Sequence, residues 1–275
     1  MLIRAGYDIS VQCDAETPLM ALLSIHPSRA ADLRTAGIIT SNQQAPLYAS
    51  LDEFGNLRTR TTAAAGIIKL STDFVIEDSG LPDAVPSGAP QCPVPALPDE
   101  AVSYLLGSRY CETDRLSAIA WPLFGNLAPG YERVRAIVDY VHRRLTFGYG
   151  FARQTRTAFE AHDERVGVCR DFAHLSVALC RSMNIPARYC TGYLGDIGVP
   201  PSSAPMDFSA WFEAYLGDRW YTFDARHNVP RIGRIVMARG RDAADVAIYT
   251  TFGPSSLVGF DIHSYEVCSV QSRAA

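Results

Sequence analysis

The sequence predicts an α+β protein in which a β-rich first part and a mixed second part flank a proline-rich linker. Three observations carry this. Residues up to about 80 alternate apolar and polar positions with a period of two, residues 82–98 hold six of the 17 prolines, and from Asp99 the apolar spacing turns helical before strands return after Ile185-Pro186. The expected division is a β-unit at 1–81, a linker at 82–98 and a second domain at 99–275.

In the first part the alternation runs through Tyr7, Ile9 and Val11, then Leu19 to Ile25. It continues across Leu51 to Leu57 around the turn-forming Phe54-Gly55-Asn56, then Ile67 to Val75. The linker's proline density excludes both helix and central strand. Beyond it come short helical segments at Leu105, Leu116 and Leu123, and an amphipathic run at Val134, Ile137, Val138, Val141 and Leu145. A further helix begins at Cys169, and strands follow over Arg188–Leu194, Phe208–Leu216 and Arg219–Asp224. The second part therefore reads as a Cys169-bearing helix packed on a mostly antiparallel sheet.

Composition sets the function classes aside in turn. A net charge of −4 argues against nucleic acid as a partner, because phosphate binding needs a basic surface. No apolar stretch is long enough to span a bilayer, so no membrane partner is expected, and Met1–Asp8 reads as a strand rather than a signal peptide. A cytoplasmic location is the default expectation. Seven cysteines, at 13, 92, 111, 169, 180, 190 and 268, lack the spacing of a disulfide scaffold or a zinc site, and no calcium loop occurs, so neither metal nor cofactor is expected.

Cys169 differs from the other thiols. It follows Gly167-Val168 at the point where a helical pattern starts, where partial positive charge and free N–H groups favour thiolate. A second informative stretch is the hairpin Phe208–Asp224. Gly217-Asp218 suits a two-residue type II′ loop, so Leu216 pairs with Arg219 and, counting back, Trp211 with Asp224 and Ser209 with Arg226. Ser209, Trp211, Glu213, Tyr215, Trp220, Thr222, Asp224 and Arg226 then share one face, and Ala210, Phe212, Ala214 and Phe223 the other.

Together, Gly167–Leu175, the Ile185–Tyr189 segment, Ala210-Trp211, Trp220 and Asp224 resemble the bacterial transglutaminase-like superfamily of papain-type Cys-His-Asp proteins, among them cysteine proteases. The resemblance covers roughly residues 100–226, and the β-rich first part is similar to the antiparallel sandwich that often precedes this domain. It implies Cys169 as nucleophile and Asp224 as the acid that orients a histidine. That histidine belongs at 209, where this chain has Ser209.

A serine hydroxyl has no useful basicity at neutral pH, so another base is needed. His227 is nearest to Asp224, but on a continuing strand its odd parity turns it to the opposite face, and only a turn at Arg226-His227-Asn228 brings it back. His162 lies in the loop before Cys169 and is a second candidate. His174, roughly 140° round the helix from Cys169, reads as a packing residue. The arginines after the hairpin (Arg226, Arg231, Arg234, Arg239, Arg241) read as a solvated basic face, with carboxylate recognition as the alternative.

Three functions follow. The first is acyl transfer on a peptide or other amide through a Cys169 thioester. The second is a catalytically inactive relative that binds peptide or protein, suggested by Ser209, and the third is a redox-responsive thiol protein.

Overall fold

The computed structural model describes residues 1–202 and 204–267, so Cys268 lies outside the described residues. In chain order the first part forms β1 (Leu2–Cys13), β2 (Thr17–Ala21), β3 (Thr40–Ser41), β4 (Tyr48–Leu51), β5 (Leu57–Ala63) and β6 (Gly66–Glu77). The helical stretch forms α1 (Asp99–Val102), α2 (Thr113–Phe124), α3 (Tyr131–Arg144), β7 (Thr146–Phe147), α4 (Ala158–Glu164), β8 (Val166–Gly167) and α5 (Cys169–Ser182). The remainder is β9 (Ala187–Leu194), β10 (Ser209–Leu216), β11 (Arg219–Phe223), β12 (Arg234–Gly240), β13 (Tyr249–Thr251) and β14 (Ser255–Val267). This is the α+β arrangement expected from the sequence.

The helical periodicity names its core correctly. Val134, Ile137, Val138, Val141 and Leu145 are all buried, and they pack with Leu116 and with Leu175, Val177, Ala178 and Leu179 of α5. From α5, every residue between Asp171 and Ser182 is buried, because α2, α3 and α4 surround it on one side and a sheet covers the other. That sheet is fully antiparallel, in the order β11-β10-β9-β12, and Phe212, Ala214 and Phe223 face the helix as the alternation requires.

Two four-stranded sheets, β14-β1-β6-β3 and β13-β2-β5-β4, share the second core. Here the structure departs from the expected division. Strands 249–251 and 255–267, assigned from sequence to the second domain, pair with β2 and β1, and β14 runs along β1 from Leu2↔Val267 to Cys13↔Ser255. Alternation alone reveals a strand but not its partner, and the partners lie about 250 residues apart in sequence. The second core also takes Tyr193, Ile235 and Met237 from β9 and β12, so the two parts are packed together through shared apolar burial. Polar contacts reinforce the junction: Asn56, in the tight turn between β4 and β5, is fully buried and binds both the carbonyl and the amide of Arg239 on β12.

Residues 82–98 contain neither α-helix nor strand, only a short 3₁₀ turn at Val94–Ala96. The segment is nevertheless fixed, since Ala89 accepts from the amide of Tyr131 and Pro90 from that of Gly217, while the Asp83 amide donates to the Arg231 carbonyl and the Asp83 carboxylate accepts from the Arg231 amide.

Candidate active site

Cys169 opens α5. The helix start is fixed by Asp171, fully buried, whose carboxylate accepts the Val168 amide at 2.9 Å and is flanked by the guanidinium groups of Arg156 and Arg170 at 3.2 Å. This satisfies one orphan donor of the first turn and places a carboxylate at the positive end of the dipole. Gly167 is required by that cap, because a Cβ there would lie 2.6 Å from the Asp171 Cβ and 2.8 Å from its carboxylate. Gly167→Ala is therefore expected to destabilise the protein by about 1–3 kcal/mol, as overpacking does. Urea unfolding checks this, and an unchanged midpoint would show that the cap yields freely.

The Cys169 thiol sits against Ala173, Tyr189 and Ala210. Burial pushes its pKa up to about 11, opposed by the Arg226 charge and by the Ala210 amide. The amides of Cys169 and Arg170, the first two of α5, make no hydrogen bond among the described residues. Cys13, Cys111, Cys180 and Cys190 are free and buried, with Cys111 raised to about 12 by burial, as inert thiols should be.

The β10–β11 hairpin has the register expected from its loop. Leu216 pairs with Arg219 and Gly217 takes φ 62°, which a Cβ would disfavour. The ladder stops at Phe212↔Phe223, however, so the expected Trp211–Asp224 and Ser209–Arg226 pairings do not form. Instead the chain leaves the sheet at Asp224 and turns. The amide of Asn228, in the left-handed region at φ 57°, donates to the Asp224 carbonyl at 2.8 Å, and the Asp224 side chain accepts from the amides of Arg226 and His227.

This is the turn that reverses the parity of His227. Its Nδ1 lies 2.8 Å from Asp224 Oδ2, and since a carboxylate only accepts, Nδ1 carries the hydrogen of this contact. Helix α3 braces the turn from behind: the His142 Nδ1–H donates to the Ala225 carbonyl at 2.9 Å and Asn228 donates to Asp139. No periodicity signals these braces.

Asp224 is buried on all sides. Burial alone would raise its pKa, but the His227 hydrogen bond and the charge of Arg234 outweigh it and hold the carboxyl well below the usual range. Arg234 donates to Asp224 at 2.9 Å and to Asp83 of the proline-rich segment at 2.8 and 3.1 Å. Thus Asp83–Arg234–Asp224–His227 is a single chain of charge-assisted contacts. Arg234 and Arg231 are 9% and 5% exposed, so neither belongs to the solvated basic face expected from sequence.

The other histidines stand apart. His162 is buried and bonded through Nε2 to the Tyr140 hydroxyl at 2.8 Å, so it does not fold back toward the thiol. His174 stacks on Tyr110 and accepts from the Ala243 amide, a packing residue as expected. Ser209, the buried first residue of β10, lines a cleft of about 550 Å³ together with Arg226 and His227, while the thiol lies beside the next residue, Ala210. Among the described residues no helix is long and apolar enough to cross a membrane, and no group of three candidate ligands could hold a metal ion.

Residues 117–225 match the profile described as the transglutaminase-like superfamily. A proposed cysteine protease from Cytophaga hutchinsonii, known as a crystal structure, superposes with a TM-score of 0.81 at 30% identity, over 96% of this chain and 90% of that one. An uncharacterised protein of Mycobacterium leprae is 30% identical over 141 residues, 48% of this chain and 50% of that protein; the match thus spans about half the relative's length. An uncharacterised protein of Mycobacterium tuberculosis is 26% identical over 79% of this chain and 77% of its own length.

Proposed function

Since this chain belongs to the transglutaminase-like superfamily, we propose that it is a thiol acyl-transfer enzyme, a cysteine peptidase or amidase, in which His227 replaces the histidine expected at position 209. One observation carries the reading. The Asp224–His227 pair, at 2.8 Å, has the tautomer a general base needs and opens on the cleft lined by Ser209.

In the proposed reaction His227 Nε2 takes the Cys169 proton as the sulfur attacks an amide carbonyl. The free amides at the start of α5 receive the developing oxyanion. Collapse breaks the C–N bond, the protonated His227 gives its proton to the departing amine, and a Cys169 thioester remains. Water or a second amine resolves it, with His227 again taking the proton. Asp224 stays ionised throughout and steadies the imidazolium.

The test is the rate of Cys169 alkylation by iodoacetamide against pH, read by peptide mass spectrometry, in the native protein and in His227→Ala. The expected profile inflects well below the roughly 8.5 of a free thiol and loses that inflection in His227→Ala. Cys169→Ala should abolish amide turnover. An inflection near the value of about 11 that burial sets, unchanged in the variant, would refute the reading.

A second reading is favoured by that raised thiol and by Ser209: a relative that has kept the cleft to bind peptide without turnover.

A further inference from the structure

The cleft beside His227 contains a cation that the mechanism leaves idle. Arg231, on the segment entering β12, is 5% exposed, yet among the described residues its guanidinium makes one hydrogen bond, to the Gly195 carbonyl at 3.0 Å, and its Nε has no partner. Asp224 and Asp196 are near enough to feel its charge, but neither forms an ion pair with it, and Asp196 accepts from the Ser202 amide instead. A buried guanidinium with unspent donors carries a desolvation cost that neutral hydrogen bonds usually offset.

A second unpaired polar group faces the same space. Ser264 of β14 is 7% exposed, its hydroxyl lacks any partner among the described residues, and it lines the cleft with Arg231. The two meet at Gly195. A Cβ on that glycine would fall 2.4 Å from the Ser264 carbonyl and 3.4 Å from its hydroxyl, while Gly195's own carbonyl holds Arg231. Three distant segments therefore converge: the residue after β9, the approach to β12 and the strand returning to β1.

We propose that Arg231 and Ser264 form a subsite for a carboxylate of the substrate, so that the cleft takes a peptide or amide carrying a free carboxyl group. A guanidinium fork and a hydroxyl suit the planar, singly charged carboxylate. Asp196, Asp207 and Glu266 also line the cleft, and their repulsion, which every anion meets, weighs more on a phosphate dianion than on a singly charged carboxylate. The reaction class rests on the acyl-transfer reading, whereas the subsite is defined by binding alone.

The test uses Cys169→Ala protein, in which no turnover occurs, with glutarate, glutaramide and inorganic phosphate as probes. The Arg231 Nε–H resonance is followed by NMR up to on the order of tens of millimolar, a range that captures weak single-site affinities. Glutarate should shift that resonance saturably and bind about tenfold more tightly than glutaramide, because the amide leaves the guanidinium unpaired. Arg231→Gln should erase the preference, Ser264→Ala should weaken it, and Arg231→Lys, which retains the charge, should keep part of it if Gln impairs folding. No saturable glutarate shift, equal binding of the diamide, or tighter phosphate binding would overturn the subsite. If glutarate binds as expected while native Cys169 proves unreactive, the subsite stands and the acyl-transfer reading falls.

Discussion

His227→Ala should lower the rate of amide turnover and of Cys169 alkylation near neutral pH by about 10²–10⁴-fold, the range a positioned general base supplies, and Ser209→His in that background should restore part of the loss. Position 209 opens β10, and the amide of its neighbour Ala210 already lies against the thiol. An imidazole there needs an orienting carboxylate, and Asp224 Oδ2 is taken by His227 and Arg234. Ser209→His should therefore help only when His227→Ala accompanies it and frees that oxygen. With His227 as the base, Ser209→His alone should change alkylation by less than about threefold. Native-like reactivity in His227→Ala alone would overturn that role.

Arg234→Met should be the most destabilising single change in the site, by about 3–5 kcal/mol at pH 7, because it strands a buried carboxylate. Asp224 is 3% exposed and Asp83 15%, and both lose a guanidinium partner at 2.8–2.9 Å. The pH dependence fixes the cause. In the native protein the folded-state pKa of Asp224 is depressed, so its stabilisation is present above the unfolded value of roughly 3.9 and disappears as pH falls further. In the variant the same carboxyl is held up instead, so the cost is full at pH 7 and shrinks as acid neutralises it. Urea unfolding of both proteins at pH 7 and near pH 4 measures this; an equal deficit at both would point to lost packing on Trp211 instead.

What was legible in the sequence were the features set by neighbours along the chain. The helical spacing from Val134 to Leu145 named a buried face, and Gly217-Asp218 fixed the hairpin register because a two-residue loop admits only one pairing. Gly167-Val168-Cys169 located the helix start. Extrapolating the hairpin to Asp224 did not hold, since the Asp224 side chain captures the next two free amides and ends the strand. His227 was identified together with the condition it needed, a turn, but the Asn228 conformation that makes the turn carries no strong sequence signal. Asp83, Arg231 and Arg234 were illegible for another reason. Their roles depend on which distant side chains face them, and linear spacing is silent about that.

The pairing of β14 with β1 has a kinetic consequence. Strand β1 is synthesised well before β14, one of its two neighbours, at residues 255–267. Until then an edge of β1 remains unpaired, with the Ile3, Tyr7 and Ile9 side chains awaiting cover from β9 and β12. At synthesis rates of about 5–20 residues per second, that interval is on the order of tens of seconds. Such high contact order favours slow, late closure, and until it occurs the open edge of β1 is a template for pairing with other chains.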